Sequence, residues 1–74
     1  MIIRFNGSLD NDETIIAEIS EFVVKGDKIK FRYNNYEYTL FTQTYDELMR
    51  IQQQLLVDGF SDVSKLLFST EIFA

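Results

Sequence analysis

Residues 28–41 alternate between apolar and polar side chains on both sides of the pair Asn34-Asn35. Such alternation is typical of β-strands, because successive side chains point to opposite faces of a sheet. Two asparagines also suit a two-residue type I′ turn, in which both residues need a positive φ. The pattern therefore predicts a β-hairpin that pairs Tyr33 with Tyr36. Its apolar face would carry Ile29, Phe31, Tyr33, Tyr36, Tyr38 and Leu40, and its polar face Lys28, Lys30, Arg32, Glu37 and Thr39.

A second hairpin is predicted directly before the first, with Gly26-Asp27 as its two-residue turn. In this register Phe22 faces Phe31, and the apolar row continues across three strands. We also expect Met1–Phe5 to form a strand beside residues 14–19.

Residues 12–24 fit two structures. As a helix, the isoleucines and Phe22 fall on one apolar stripe. As a strand, alternation runs from Ile15 to Ile19 and resumes at Phe22, and a β-bulge at Ser20-Glu21 would restore the face between them. The density of isoleucine and valine favours the strand, and so does the register of the second hairpin.

Residues 44–60 predict an amphipathic helix. Thr44 is a suitable N-cap, and Glu47 three positions later completes a capping box. Gly59 suits the left-handed residue that commonly ends a helix. The stripe expected to face the sheet consists of Tyr45, Leu48, Ile51, Leu55 and Leu56.

The remaining residues predict a second, short helix that starts at Ser61 or Asp62, followed by an apolar end that is too hydrophobic for a free tail. The chain is therefore expected to be one α+β domain spanning residues 1–74. About four strands would form an antiparallel meander, one amphipathic helix would pack on one of its faces, and a short helical or extended C-terminal segment would follow.

The composition removes several classes of chemistry. The 74-residue chain contains no histidine and no cysteine, and its three glycines are isolated from one another. Zinc ribbons, thiol nucleophiles, a histidine base and glycine-rich phosphate loops are therefore excluded. The acidic run 10–13 lacks the spacing of an EF-hand loop and is interpreted as a solvated turn. We expect no enzymatic activity, no cofactor and no metal site.

No stretch of the sequence resembles a signal peptide, and no apolar run is long enough to span a membrane. A chain without cysteine also fits a reducing compartment. We expect a cytoplasmic protein without membrane association.

The formal charge of −5 disfavours nucleic acid as a partner, because a negative chain is repelled by phosphate. Two alternatives remain open. One is a single-stranded nucleic-acid binder that uses the basic strand 28–32. The other is an acidic inhibitor that occupies a cationic groove of a target protein. Its acidic surface would consist of Asp10, Asp12, Glu13, Glu18, Asp46, Glu47, Asp58 and Asp62.

The leading interpretation is a protein-interaction module, most simply a homo-oligomer. Apolar residues make up 46% of the sequence, more than one small core is expected to hold. Val23 and Phe41 fall on the outer face of the predicted sheet, and the C-terminal segment is expected at or near the contact. The candidate interaction surface consists of Phe41, Val23, Met49, Phe60, Phe68, Ile72 and Phe73.

Overall fold

The computed structural model describes residues 1–7 and 13–72 of the chain. The strands are β1 (Ile2–Asn6), β2 (Thr14–Glu18), β3 (Phe22–Lys25), β4 (Lys28–Tyr33), β5 (Tyr36–Phe41), β6 (Phe60–Asp62) and β7 (Leu67–Ile72). The helix α1 (Tyr45–Gln53) follows β5 and continues as a π-helical segment, Gln54–Asp58.

The strands form two sheets. Strands β3, β4, β5 and β7, in that order, make a four-stranded antiparallel sheet. Strands β2, β1 and β6 make a three-stranded sheet, in which β1 runs antiparallel to β2 and parallel to β6. The α+β class and the four-stranded antiparallel sheet are confirmed, and so is the pairing of β1 with residues 14–18.

Both predicted hairpins have the expected register. Tyr33 faces Tyr36 across the Asn34-Asn35 turn, where φ is 55° and 68°. Phe22 faces Phe31 across the Gly26-Asp27 turn, and Gly26 also has a positive φ of 60°. Local turn chemistry therefore fixes the centre of the large sheet.

The strand interpretation of residues 12–24 is correct for β2 and β3, but the expected β-bulge is wrong. At Ser20-Glu21 the chain leaves the three-stranded sheet and enters the four-stranded one. Just before this break, two backbone hydrogen bonds join Ile19 to Met1. The Ile19 amide donates to the Met1 carbonyl at 2.8 Å, and the Met1 amino group donates to the Ile19 carbonyl at 3.1 Å. The apolar alternation is interrupted at Ser20-Glu21 because the chain passes from one sheet to the other at this point.

The helix starts as predicted. The Glu47 amide donates to Thr44 Oγ1 at 3.1 Å, and Glu47 Oε1 accepts from the Gln43 amide at 2.9 Å. The Glu47 side chain thus accepts a hydrogen bond from the amide of Gln43, the residue before the N-cap. In the usual capping box, this side chain accepts from the amide of the N-cap residue itself. Gly59 ends the helix with a left-handed φ of 72°.

The inward stripe of the helix is narrower than its periodicity predicts. Leu48, Ile51 and Leu55 are buried, whereas Tyr45 is 72% exposed and Leu56 is 69% exposed. In the π-helical segment the Gly59 amide donates to the Gln54 carbonyl, five residues back, so each turn takes up more residues than in an α-helix. The expectation that Tyr45 and Leu56 face the sheet is therefore wrong.

The short helix expected after Phe60 is also wrong. Residues 60–62 form β6, which pairs with β1. The Asp62 carboxylate accepts hydrogen bonds from the Ser64 amide at 3.0 Å and the Ser64 hydroxyl at 2.7 Å. A residue that resembled a helix N-cap therefore starts a turn instead, since both uses rest on the same side-chain acceptor. Of the expected C-terminal segment, the described residues up to Ile72 are extended and belong to β7.

The core lies between the two sheets and is centred on Phe5 of β1. Its ring makes edge-on contacts with Phe31, Tyr38 and Phe68 of the four-stranded sheet, at centroid distances of 5.6, 4.9 and 5.8 Å. Phe68, which the sequence analysis assigned to the interaction surface, is thus half-buried against this core. The buried core consists of Ile3, Phe5, Ala17, Ile19, Ile29, Phe31, Tyr38, Leu40, Leu48, Ile51, Leu55 and Val63.

Candidate functional site

The candidate site is the free edge of β7. This six-residue strand pairs with β5 on one side, and no strand in the described part of the chain pairs with its other side. Five of its six residues are exposed, and only Phe68 is half-buried. Leu67 and Ile72, at its two ends, are 72% and 79% exposed. An edge of this kind offers both a row of backbone groups and apolar side chains to a second strand.

The hydrogen-bond pattern of the hairpin shows which residues of β5 bond to which neighbour. A two-residue turn closes on a pair that exchanges both backbone hydrogen bonds, here Tyr33 and Tyr36. Such pairs recur at every second residue of an antiparallel ladder. The Thr42 amide, which donates to the Asp27 carbonyl at 3.2 Å, continues this alternation. The backbone groups of Glu37, Thr39 and Phe41 therefore face β7.

The same alternation divides the residues of β7 into two sets. Leu67, Ser69 and Glu71 lie opposite Phe41, Thr39 and Glu37 and bond to β5. The backbone amides and carbonyls of Phe68, Thr70 and Ile72 therefore point away from the sheet, toward the free edge.

The other edge strands are less suited to pairing with a strand of another chain. Strand β6 has three residues and β3 has four, which limits the ladder that either can form. Strand β2 has five residues, includes Glu18 and directly follows Glu13, so both of its ends are acidic. Strand β7 is longer than all three and contains one charged residue, Glu71. Charged side chains are a common protection against edge pairing. Each of the four described edge strands contains one charged residue, so β7, the longest of them, has the fewest charges for its length.

The outer face of the four-stranded sheet is basic on one side and apolar on the other. Lys25 and Lys28 are direct neighbours across the β3–β4 ladder, and Lys28 Nζ lies 5.6 Å from the centre of the Phe41 ring. Phe41 in turn lies opposite Leu67 of β7. A shallow cleft of about 360 Å³ crosses the basic side, lined by Ser20, Glu21, Phe22, Val23, Lys25, Lys30, Phe31, Arg32 and Glu37.

Glu37 weakens this basic face as a site for nucleic acid. Its carboxylate lies 3.9 Å from Lys30 Nζ and 3.7 Å from Arg32 Nε. A single acid on the central strand β5 therefore forms ion pairs with two of the cations that would contact phosphate in the nucleic-acid alternative.

The candidate interaction residues do not form one patch. Val23 and Phe41 are exposed on the outer face of the four-stranded sheet, and Ile72 is exposed at the end of β7. Met49 lies on α1, where its sulfur accepts a hydrogen bond from Gln52 Nε2 at 3.6 Å, and Phe60 lies on β6. Phe73 lies outside the described residues.

The predicted interaction surface omits Leu67, which joins Phe41 on the sheet face and starts the free edge. It also omits Tyr45, Leu56 and Val57, which are exposed on the helix. Reading residues 67–72 as an alternating strand would have identified Leu67, but the predicted short helix occupied that position.

The acidic residues lie on separate elements. Glu18 is on β2, Asp46 and Glu47 start α1, and Asp58 ends its π-helical extension. Two of the acids have structural roles, since Glu47 caps the helix and Asp62 holds the turn before β7. Glu13 precedes β2 and is exposed, whereas Asp10 and Asp12, with most of the acidic run 10–13, lie outside the described residues.

Among the residues that the structure describes, two side chains have a shifted pKa. Hydrogen bonds from the Ser64 hydroxyl and amide lower the pKa of Asp62, with a smaller contribution from Arg4, whose Nη1 is 3.7 Å away. Burial raises the pKa of Tyr38, so this phenol stays protonated at neutral pH. Neither shift produces a base suited to catalysis near pH 7.

Within residues 1–7 and 13–72, no three acidic side chains come close enough to hold a metal ion. No helix in the same part of the chain has the length and apolar content needed to cross a membrane.

Comparisons of this chain with protein-family models, with curated proteins and with solved structures found no match.

Proposed function

We propose that this protein is a non-enzymatic protein-interaction module and that β7 is its contact, to which a partner adds a strand. The observation that carries the proposal is the free edge of β7, with the backbone of Phe68, Thr70 and Ile72 directed outward and Leu67 and Ile72 exposed at its ends. Strand addition derives its affinity from main-chain hydrogen bonds and its specificity from alternate side chains.

The sequence of β7 supports this role. Proteins usually protect long edge strands with lysine, proline or a bulge, because an unprotected edge pairs with other chains. Strand β7 contains no lysine and no proline, and its register with β5 is continuous over all six residues.

The absence of catalytic chemistry rests on the composition. Without histidine or cysteine, a base near pH 7 requires a carboxylate with a raised pKa, and the shift at Asp62 has the opposite direction. A cytoplasmic location remains part of the proposal, since the chain has no cysteine to form disulfides.

The two alternatives have less support. For nucleic acid, the basic strand 28–32 shares a sheet face with Glu37, and the whole chain is negative. For an acidic inhibitor, the described acids are divided among β2, the start of α1, the end of the π-helical segment and β6, which does not concentrate a negative field on one surface.

The experiment compares the wild type with Thr70→Pro. Proline removes an amide that faces the free edge, so the sheet itself keeps its hydrogen bonds, and proline is tolerated at such positions. Ser69→Pro is the matched control, because it removes an amide bonded to β5 and should unfold the strand. Both are checked by circular dichroism.

Binding is measured in two ways: light scattering on the purified protein, and a pull-down from host lysate in which each captured protein is retested with purified components. We expect Thr70→Pro to remain folded and to lose whatever association the wild type has. The same binding by wild type and by folded Thr70→Pro, or none by either, would overturn the proposal. Ile72→Lys is the second variant, is read in the same way, and decides the test if circular dichroism shows that Thr70→Pro is unfolded.

A further inference from the structure

We infer that the strand added to β7 is β7 of a second copy, antiparallel to the first, with the twofold axis at Thr70. The two four-stranded sheets then join into one continuous eight-stranded sheet. This inference rests on the proposed function, because it names the partner of the same edge.

The twofold axis must lie midway between one residue of β7 and the same residue of the second copy. Opposite residues in an antiparallel pair point to the same face of the sheet. If the two cores are to lie on the same side of the joined sheet, inward residues must therefore meet inward residues. This condition leaves Thr70, Ser69 and Glu71 as the centres that pair most of the strand.

An axis at Thr70 uses every backbone group that faces the edge. Thr70 lies opposite Thr70 of the second copy, and Phe68 lies opposite Ile72 in both halves of the contact. All of these are hydrogen-bonded pairs, because Phe68, Thr70 and Ile72 are the residues whose backbone points outward. An axis at Ser69 would instead pair Phe68 with Thr70 and leave Ile72 without a partner in β7.

The side chains favour the same axis. With Thr70 at the centre, Ile72, which is the most exposed large apolar side chain of the described residues, meets the half-buried ring of Phe68. Ser69 meets Glu71, and the hydroxyl can donate to the carboxylate. An axis at Ser69 would place Glu71 opposite Leu67, and an axis at Glu71 would oppose two carboxylates, which is destabilising.

The contact is small, so the dimer is expected to be weak. Because two strands meet along one edge only, we expect the buried surface to be well below the roughly 1,200–2,000 Å² of a standard stable interface. We therefore expect dissociation in the micromolar range, which light scattering over a concentration series resolves.

Cysteine cross-linking tests the axis directly, because the natural chain contains no cysteine. Opposite residues in an antiparallel pair have Cα atoms about 4.5–5.5 Å apart, within the range that a disulfide spans. Thr70→Cys should therefore form a disulfide-linked dimer under mild oxidation. A mixture of Ser69→Cys and Glu71→Cys should form the mixed dimer, and Ser69→Cys alone should not cross-link at the same rate, because its two copies lie diagonally across the axis.

A control at another edge strand distinguishes this contact from non-specific hydrophobic association. Ile16 of β2 is also an exposed isoleucine on an edge strand. Ile72→Lys should give a folded monomer, and Ile16→Lys should leave the dimer unchanged.

The results divide cleanly. Cross-linking through Thr70 and loss of the dimer in Ile72→Lys support the inference. Efficient cross-linking of Ser69→Cys alone, or loss of the dimer in Ile16→Lys, overturns the inferred contact. If the pure wild type stays monomeric but captures another protein, and folded Thr70→Pro does not capture it, the partner of β7 is not a second copy. That result overturns this inference and leaves the proposed function standing.

Discussion

The ring of Phe5 meets the ring of Tyr38 edge-on, with centroids 4.9 Å apart and an interplanar angle of 61°. Phe5 belongs to the three-stranded sheet and Tyr38 to the four-stranded one, so this contact joins the two layers of the fold. Phe31 stacks on the same Tyr38 ring at 5.2 Å. Aromatic contacts of this kind add about 0.5–1.5 kcal/mol beyond the burial of their surface.

The first prediction concerns this junction. Phe5→Ala should lower the free energy of unfolding by about 3–5 kcal/mol, because it removes a fully buried ring that contacts three others. Such a loss is comparable to the total stability of many small domains. Urea denaturation followed by circular dichroism measures the change. Phe60→Ala, at an exposed position on β6, should cost much less, and equal losses would contradict the assigned core.

The second prediction uses two adjacent leucines on the helix. Leu55 is buried and Leu56 is exposed, although helical periodicity alone places both on the inward stripe. Leu55→Ala should lower the free energy of unfolding by about 2–5 kcal/mol, whereas Leu56→Ala should change it by about 0.5 kcal/mol or less. Thermal or urea denaturation of the two variants decides the matter. A larger loss from Leu56→Ala would mean that the π-helical segment is misplaced.

The third prediction concerns pH. Hydrogen bonds from Ser64 lower the pKa of Asp62 in the folded chain, so the ionised carboxylate stabilises the fold above its ordinary pKa. This stabilisation should disappear as the pH falls through the lowered value. Ser64→Ala should move the pKa of Asp62 back toward the ordinary value, which carboxyl-carbon NMR titration detects. Ser69→Ala is the control and should leave the titration of Asp62 unchanged; no shift in Ser64→Ala would refute the assigned cause.

The fourth prediction concerns nucleic acid. Fluorescence anisotropy with a single-stranded oligonucleotide at physiological salt should show no binding at micromolar protein, because the chain is negative and Glu37 lies beside Lys30 and Arg32. Glu37→Gln should allow weak binding that falls steeply with salt. A salt-dependent micromolar affinity of the wild type, lost in Lys28→Glu, would reverse the ranking of the functions.

Several features of the fold could be predicted from short stretches of sequence. The turn at Asn34-Asn35 and the start of the helix at Thr44 depend on residues within a few positions of one another. Their backbone preferences and hydrogen bonds are present in the local segment itself, so the segment is enough to identify them.

The candidate site was only partly predictable. The sequence indicated an apolar C-terminal segment near a contact and included Ile72 in the interaction surface, but it did not identify Leu67 or the free edge. An edge exists only in relation to the strands around it, and the pairing of β7 with β5 brings together residues about thirty positions apart. No local pattern records which side of that strand stays unpaired.

By itself, then, the sequence determined the two hairpins with their registers, the helix with its N-cap, and the α+β class. Only the tertiary structure decided that the chain changes sheets at Ser20-Glu21, that β6 runs parallel to β1, and that Leu56 faces solvent. For each of these, the local sequence pattern is also compatible with the alternative that was predicted: a bulge, a short helix or a wider stripe. The choice between them is made by burial against segments distant in the chain, above all around Phe5, and that contribution arises only when both sheets are in place.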